Sequence, residues 1–336
     1  MNPVYAIILV FVGCCSNVVF LELIVSEHPG SGNIITFAQF LFIAVEGFFF
    51  ATRCGTKTPV IPIKHYVVMV FFFFTTSVVN NYSLIFKIPL PLHMIFRSGS
   101  LVANMVLGVI LLKKKYPAYK YLSILMITVG ICTCTIMSAK TGNKKQGNEA
   151  TELEGPMTAY DVGMLTVGIL MLTLALFMSA RMGIYQETLY QEYGKHPREA
   201  LFYSHALPLI GFAVLGKDIY NYAVIFSNSE PLGVPVIGVM APKMWLYLTG
   251  NIITQYVCIR GVFILTTECP SLIVTLVVTL RKFFSLVFSI LYFKNPFTFY
   301  HWMGTGCVFA GTLLFTSVFH MAWDVLFPPS KAKKVE

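Results

Sequence analysis

Residues 271–293 read SLIVTLVVTLRKFFSLVFSILYF. About 20 predominantly apolar residues cross a bilayer as one helix, and this run is long enough. Two adjacent cations, Arg281 and Lys282, stand near its middle. A cation at that depth costs about 2.5–3.5 kcal/mol on insertion scales and usually faces a polar cavity. Thr275, Thr279, Lys282, Ser285 and Ser289 recur at spacings of three and four, so they share one helical face. Arg281 is rotated from Lys282 by about 100° in a regular helix. A polar stripe centred on a lysine suits a helix that lines an anion-binding cavity. The alternative is that a cation pairs with Glu22, Glu46 or Glu268 and only orients helices.

Working outward, the 336 residues are 56% hydrophobic and 12% charged, with a mean hydropathy of +0.73. Soluble domains carry about 25% charged residues, so the expectation is an all-α integral membrane protein. The alternating pattern of a membrane barrel is absent. The net charge of +9 sits in short connections between apolar runs, where membrane orientation explains it better than nucleic acid does. Eight cysteines lie almost all in apolar runs without CxxC or Cys/His metal spacing, which reads as small buried hydrophobes. Neither a metal nor a cofactor is expected. The first apolar run lacks a basic leader and is long enough to stay as a span.

Ten apolar runs follow one another, at about 4–25, 33–52, 66–86, 90–112, 119–138, 161–182, 200–219, 244–266, 271–293 and 301–323. The longest connections are 139–160 and 220–243. With the N-terminus in the cytosol, thirteen Lys and Arg fall in cytosolic segments and seven opposite, so both termini are expected in the cytosol. The stretch 107–135, LGVILLKKKYPAYKYLSILMITVGICTCT, resembles 286–316, LVFSILYFKNPFTFYHWMGTGCVFAGTLLFT. Each is an apolar helix, a turn with lysine and proline, then a helix dotted with small residues. Two halves of five spans result, 1–138 and 161–323, with 139–160 as a lumenal loop and 324–336 as a cytosolic tail. Five is odd, so the second half enters from the opposite side, an inverted repeat typical of secondary transporters. Gly99/Ala103 and Gly306/Ala310 are expected at close helix contacts.

Polar residues mark other runs. Asn17 and Glu22 stand in the first, Asn80, Asn81, Tyr82 and Ser83 end the third, and Arg97 lies inside the fourth. Asn251, Gln255 and Arg260 lie in the eighth. The sequon Asn81-Tyr82-Ser83 falls at the end of a span, out of reach of glycosylation. Taken singly, the amides can serve as interhelical glue worth about 0.6 kcal/mol each. Together, the intramembrane cations outnumber the intramembrane carboxylates, and such a cavity selects an anion. Amides and aromatics beside it can read a base or a sugar. The P-loop, HExxH and GxSxG patterns are absent from the sequence, so no enzyme is expected.

Several long stretches carry a resemblance: GCCSNVVFLEL (13–23), GNIITFAQFLFIAVEGF (32–48), PLHMIFRSGSLVANM (91–105), MSARMGIYQETLY (178–190) and NIITQYVCIRGVFILTTEC (251–269), with 271–297 after them. Through them the chain resembles the nucleotide-sugar transporters of solute carrier family 35, subfamily B, in the drug/metabolite transporter superfamily. The resemblance implies ten helices in two inverted five-helix repeats around a cavity open alternately to cytosol and lumen. It implies exchange of a cytosolic nucleotide sugar for a lumenal nucleoside monophosphate. Phe202-Tyr203-Ser204-His205 resembles the FYNN motif of GDP-mannose transporters, which contributes to base recognition. Both asparagines are replaced here, which fits a uridine donor better than guanine. Lys282 matches the phosphate-binding lysine of helix nine, with Arg281 beside it.

The resulting expectation is an antiporter of UDP-N-acetylglucosamine, UDP-xylose or both, working against UMP in the ER or Golgi membrane. Lys282, with Arg281 or Arg97, would hold the diphosphate; Tyr203, His205, Asn17, Asn80 and Asn81 would shape the base and sugar ends. Phe202, Ser204, Tyr82, Asn251, Gln255 and Thr279 complete the candidate site. Lys333 and Lys334 resemble a dilysine ER-retrieval signal read by coat proteins, and a homodimer is compatible with the sequence but not required by it. The rival readings are a GDP-fucose/GMP antiporter, a membrane-embedded glycosyltransferase partner, and a drug exporter, whose cavity should be neutral or acidic.

Overall fold

A computed structural model describes residues 3–86, 88, 90–145, 159–194, 196–233, 240–268, 271–293 and 297–316. The chain is helical apart from one small hairpin, Pro231–Gly233 against Met240–Pro242, among these residues. The helices are α1 (Pro3–Glu27), α2 (Gly32–Phe50), α3 (Ile63–Ser83), α4 (Leu90–Phe96), α5 (Ser100–Leu112), α6 (Ala118–Lys145) and α7 (Ala159–Tyr193). They continue with α8 (Pro197–Ala206), α9 (Pro208–Gly211), α10 (Gly216–Ser227), α11 (Lys243–Glu268), α12 (Ser271–Tyr292) and α13 (Phe299–Phe315).

Local chemistry sets many of these boundaries. Pro29 and Pro62 precede α2 and α3, where a fixed φ and a missing N–H do no harm. After α2 the chain turns through Arg53, Cys54 and Gly55, all at positive φ. Pro208 separates α8 from α9, because its ring clashes with the carbonyl four residues back. The chain then bends by 95° into α10. Thr298 and His301 form a reciprocal capping box at the start of α13.

Among the described residues six helical segments are long and apolar enough to cross a bilayer, or seven if the bent pair is one span. Apolar side chains such as Phe71, Leu125, Leu170 and Leu291 remain exposed on the outside, as a lipid-facing surface requires. The run 90–112 is one apolar segment long enough to span, Leu90–Leu111, but a 3-10 turn at Arg97–Gly99 inside it divides α4 from α5. Parts of the connections 139–160 and 220–243 carry secondary structure: α6 runs on to Lys145, and α10 and the hairpin occupy much of the second.

The helices pack most closely as α1 with α11, α6 with α13, and α3 with α7. A Cβ on Gly130 would stand 2.4 Å from Gly304 O, and one on Gly304 would stand 2.7 Å from Cys134 Sγ, so α6 and α13 touch through small residues. The small pair was expected at Gly306/Ala310, but Gly306 has no neighbour within 4 Å of such a Cβ. Gly99 does meet Leu176 and Ile131 closely. Cys14 and Cys258 form a disulfide between α1 and α11, with Cα atoms 4.9 Å apart, which corrects the reading of the cysteines as hydrophobic filler.

Candidate functional site

Seven stretches of chain converge on one cavity of about 390 Å³, within the roughly 300–1,000 Å³ of ligand clefts. Arg281, Lys282 and Ser285 enter from α12, and His93 and Arg97 from α4 and the turn after it. Asn17 comes from α1, Thr36 and Gln39 from α2, Asn80 and Asn81 from α3, and Gln255 from α11. Arg97 and Lys282 are exposed, although both stand far from the ends of long apolar segments. Accessible surface at that place is cavity surface, so both cations project into the cleft.

Arg281 lines the cleft as well, despite its rotation away from the lysine stripe. Its Nη1 donates to Cys258 Sγ at 3.4 Å, and its Nε has no partner among the described residues. Arg97, Arg281 and Lys282 lie close enough to repel one another. Gathering like charges away from bulk water is unfavourable unless an anion joins them. The 3-10 turn adds to this arrangement, since interrupted helices at membrane depth occur where they line a cavity.

The stripe on α12 is largely as expected. Ser285 lines the cleft with Lys282, and Ser289, fully buried, donates to the Glu22 carboxylate. Thr279 is buried and does not line the cleft, and the Thr275 side chain lies outside the described residues. Glu46 accepts from Tyr256 OH at 3.1 Å and lies 3.8 Å from Arg260 Nη1. It thus pairs with a cation of α11 rather than with the stripe.

The amides divide by role. Asn17 Nδ2 donates to Asn251 O at 2.9 Å, and Asn251 Nδ2 donates back to Asn17 O at 3.2 Å. Asn251 is fully buried and ties α1 to α11; it does not line the cleft. Asn81 Nδ2 donates to Thr36 Oγ1 at 2.9 Å and to Asn33 Oδ1 at 3.2 Å, and Asn33 Nδ2 donates to Asp218 Oδ2 at 2.8 Å. Asn80 and Gln255 line the cleft with side chains that make no hydrogen bond among the described residues.

The Phe202–His205 segment does not line the cleft. Phe202 lies against Gly47, where a Cβ would come within 2.8 Å of its ring. Tyr203 stacks on Tyr66, Ser204 is half-buried, and His205 is buried against Phe40 and Phe73. The His205 Nδ1 lies 2.7 Å from Leu201 O. The motif packs α8 on α2 and α3, and Tyr82 also stays out of the cleft. Lys333 and Lys334 lie outside the described residues. Sequence reasoning missed Thr36, Gln39 and His93. The signal for two of them was present, because Asn33, Thr36 and Gln39 recur every third residue in an otherwise apolar helix.

Comparison with known proteins agrees with this geometry. The profile of the UAA transporter family matches residues 2–319. The chain is 64% identical to the zebrafish (Danio rerio) UDP-xylose and UDP-N-acetylglucosamine transporter over 318 residues, 95% of each chain. It is 60% identical to the human nucleotide sugar transporter SLC35B4 over 334 residues, 99% of each chain. It is 52% identical to the Drosophila melanogaster endoplasmic reticulum GDP-fucose transporter, over 99% of this chain and 95% of that protein. With its membrane-spanning helices and cationic cleft, the chain belongs to the UAA transporter family, a family of nucleotide-sugar transporters and not of enzymes.

Proposed function

We propose that this chain is an antiporter that moves UDP-N-acetylglucosamine, UDP-xylose or both from the cytosol into the lumen of the ER or Golgi, in exchange for UMP. The observation that carries the reading is the cluster of Arg97, Arg281 and Lys282 in one cleft bordered by amides. Lys282 and Arg97 take the diphosphate, with Arg281 adding charge from the wall. The neutral groups on α2, α3 and α11 read the base and the sugar. The Phe202–His205 segment supports the cleft from behind, through α2 and α3. The name of the zebrafish relative favours the UDP-sugar donor.

The architecture belonging to this reading is two inverted five-helix repeats with both termini in the cytosol. The first repeat ends with α6 and the second begins with α7. Helix packing supports it, because exchanging the repeats maps α1–α11 onto α7–α3 and α1–α12 onto α7–α5, and both members of each pair are packed. The pairs α6–α13 and α2–α8 map onto themselves. Transport needs neither hydrolysis nor a bound metal: substrate shifts the cycle as far as it binds one state better than another. Retrieval by coat proteins through Lys333 and Lys334, and a homodimer, complete the proposal.

A second reading keeps the fold and carries GDP-fucose, which the fruit-fly relative's name favours. Purified protein in liposomes preloaded with UMP, GMP or nothing separates the two. Uptake of labelled UDP-sugars into UMP-loaded vesicles is expected. Uptake of GDP-fucose that depends on internal GMP would move the function to the second reading. Absence of all uptake by folded protein would remove both.

A further inference from the structure

Gln39 lies in the cleft wall, the last of three polar residues spaced every third position along the start of α2. Its Nε2 donates to Asn251 Oδ1 at 2.6 Å. The orientation of that bond is fixed from behind. Asn251 Nδ2 is committed to Asn17 O, so the other end of the Asn251 amide, Oδ1, must face α2. Gln39 can meet it only with its NH₂, and its own carbonyl oxygen is left over. No donor reaches Gln39 Oε1 among the described residues, and the side chain is half-buried in the cleft wall. An oriented acceptor in a cleft rejects phosphate oxygens, which are acceptors too. It matches an N–H or O–H of an uncharged group.

We propose that Gln39 is a selectivity-determining residue of this transporter, held by Asn251 so that its carbonyl oxygen accepts a hydrogen bond from a neutral donor group of the nucleotide sugar. Asn251 is then a positioning residue that touches no substrate. The inference rests on the nucleotide-sugar reading above. The donor has two sources, the uridine (the imide N–H of its base or a ribose O–H) or an O–H or N–H of the transported sugar. A substrate that carries the donor is preferred because one that lacks it strands a desolvated acceptor.

The test uses full-length protein in liposomes and compares wild type with Gln39→Met, Asn251→Ala and the double variant. Gln39→Met keeps the length of the side chain and removes the amide. Asn251→Ala frees Gln39 but keeps the backbone oxygen that Asn17 uses. Half-saturation is measured for UMP and for a UDP-sugar, beside the maximal rate. Gln39→Met is expected to raise half-saturation about tenfold, the loss of one good hydrogen bond. A rise for both ligands places the donor on the uridine they share, at the base N–H or a ribose O–H, and a rise for the UDP-sugar alone places it on the transported sugar. Asn251→Ala should move the same constants, with the double variant no worse than Gln39→Met. Unchanged half-saturation in folded Gln39→Met, read by monodispersity and thermal shift, overturns the assignment. Multiplying effects in the double variant overturn the positioning role of Asn251, and should Asn251→Ala not fold, Gln39→Met decides alone. Wild-type protein without any exchange would instead overturn the nucleotide-sugar reading itself.

Discussion

Tyr203 stacks on Tyr66, with ring centroids 4.7 Å apart and planes at 23°. Tyr66 OH in turn donates to Glu199 Oε1 at 2.9 Å. The same carboxylate accepts from Val60 N at 3.0 Å and Ile61 N at 3.1 Å, so one side chain in the first turn of α8 pins the chain entering α3. Tyr66 itself is fully buried. Glu199→Ala strands these donors and should lower stability by about 1–3 kcal/mol, seen as a lower Tm in detergent. Tyr203→Phe keeps the stacking and should leave both Tm and half-saturation near wild type. A marked rise in half-saturation for Tyr203→Phe would mean that its hydroxyl reaches the ligand.

The contact of α6 with α13 gives a sharper contrast. Gly130→Ala drives a methyl group into the backbone oxygen of Gly304, which cannot rotate away. Overpacking of this kind costs about 1–3 kcal/mol. Gly306→Ala meets open space and should leave Tm unchanged or slightly raised. Thermal unfolding of the two variants side by side checks the prediction. Equal losses would show that Gly306 is packed as tightly as Gly130.

Cys14 and Cys258 should resist alkylation until a reductant is added, whereas Cys54, exposed in the turn after α2, reacts at once. Peptide mass spectrometry reads both outcomes. Alkylation of Cys14 and Cys258 in unreduced protein would show two free thiols across the α1–α11 contact.

Much of the site was legible in the sequence because charge is costly in a bilayer. Arg97, Arg281 and Lys282 stand out in apolar runs, and all three line the cleft. What was not legible depends on pairing between distant segments. Asn251 and Gln39 look alike in sequence, two amides in apolar helices. Only the reciprocal bonds between Asn17 and Asn251 make one a strut and leave the other facing the cleft. The Phe202–His205 segment is the opposite case. Its residue types suit a base-binding motif, but Gly47 and Tyr66 provide places for Phe202 and Tyr203 to pack, which no local pattern reveals. Helix interruptions at Arg97–Gly99 and Pro208 were hidden by continuous hydropathy, which records burial and not backbone direction.

The last prediction concerns the relative weight of the three cations. Lys282 is exposed to the cleft, on the same face as Ser285, and its ammonium has three donors to turn toward phosphate. Removing one partner of a desolvated, hydrogen-bonded charge pair costs about 2–5 kcal/mol. Lys282→Ala should therefore reduce exchange at low substrate by roughly thirtyfold or more, with the folded fraction unchanged. Relief of repulsion from Arg97 and Arg281 argues that the variant will fold at least as well as wild type. Arg281→Ala should cost less, because Arg281 Nη1 is already engaged with Cys258 Sγ. Lys282→Arg keeps the charge but spreads it over a planar fork, so partial exchange is expected. Liposome uptake with equal amounts of folded protein ranks the three variants. Normal transport by Lys282→Ala would remove the phosphate role from the α12 stripe and leave Arg97 as its principal bearer.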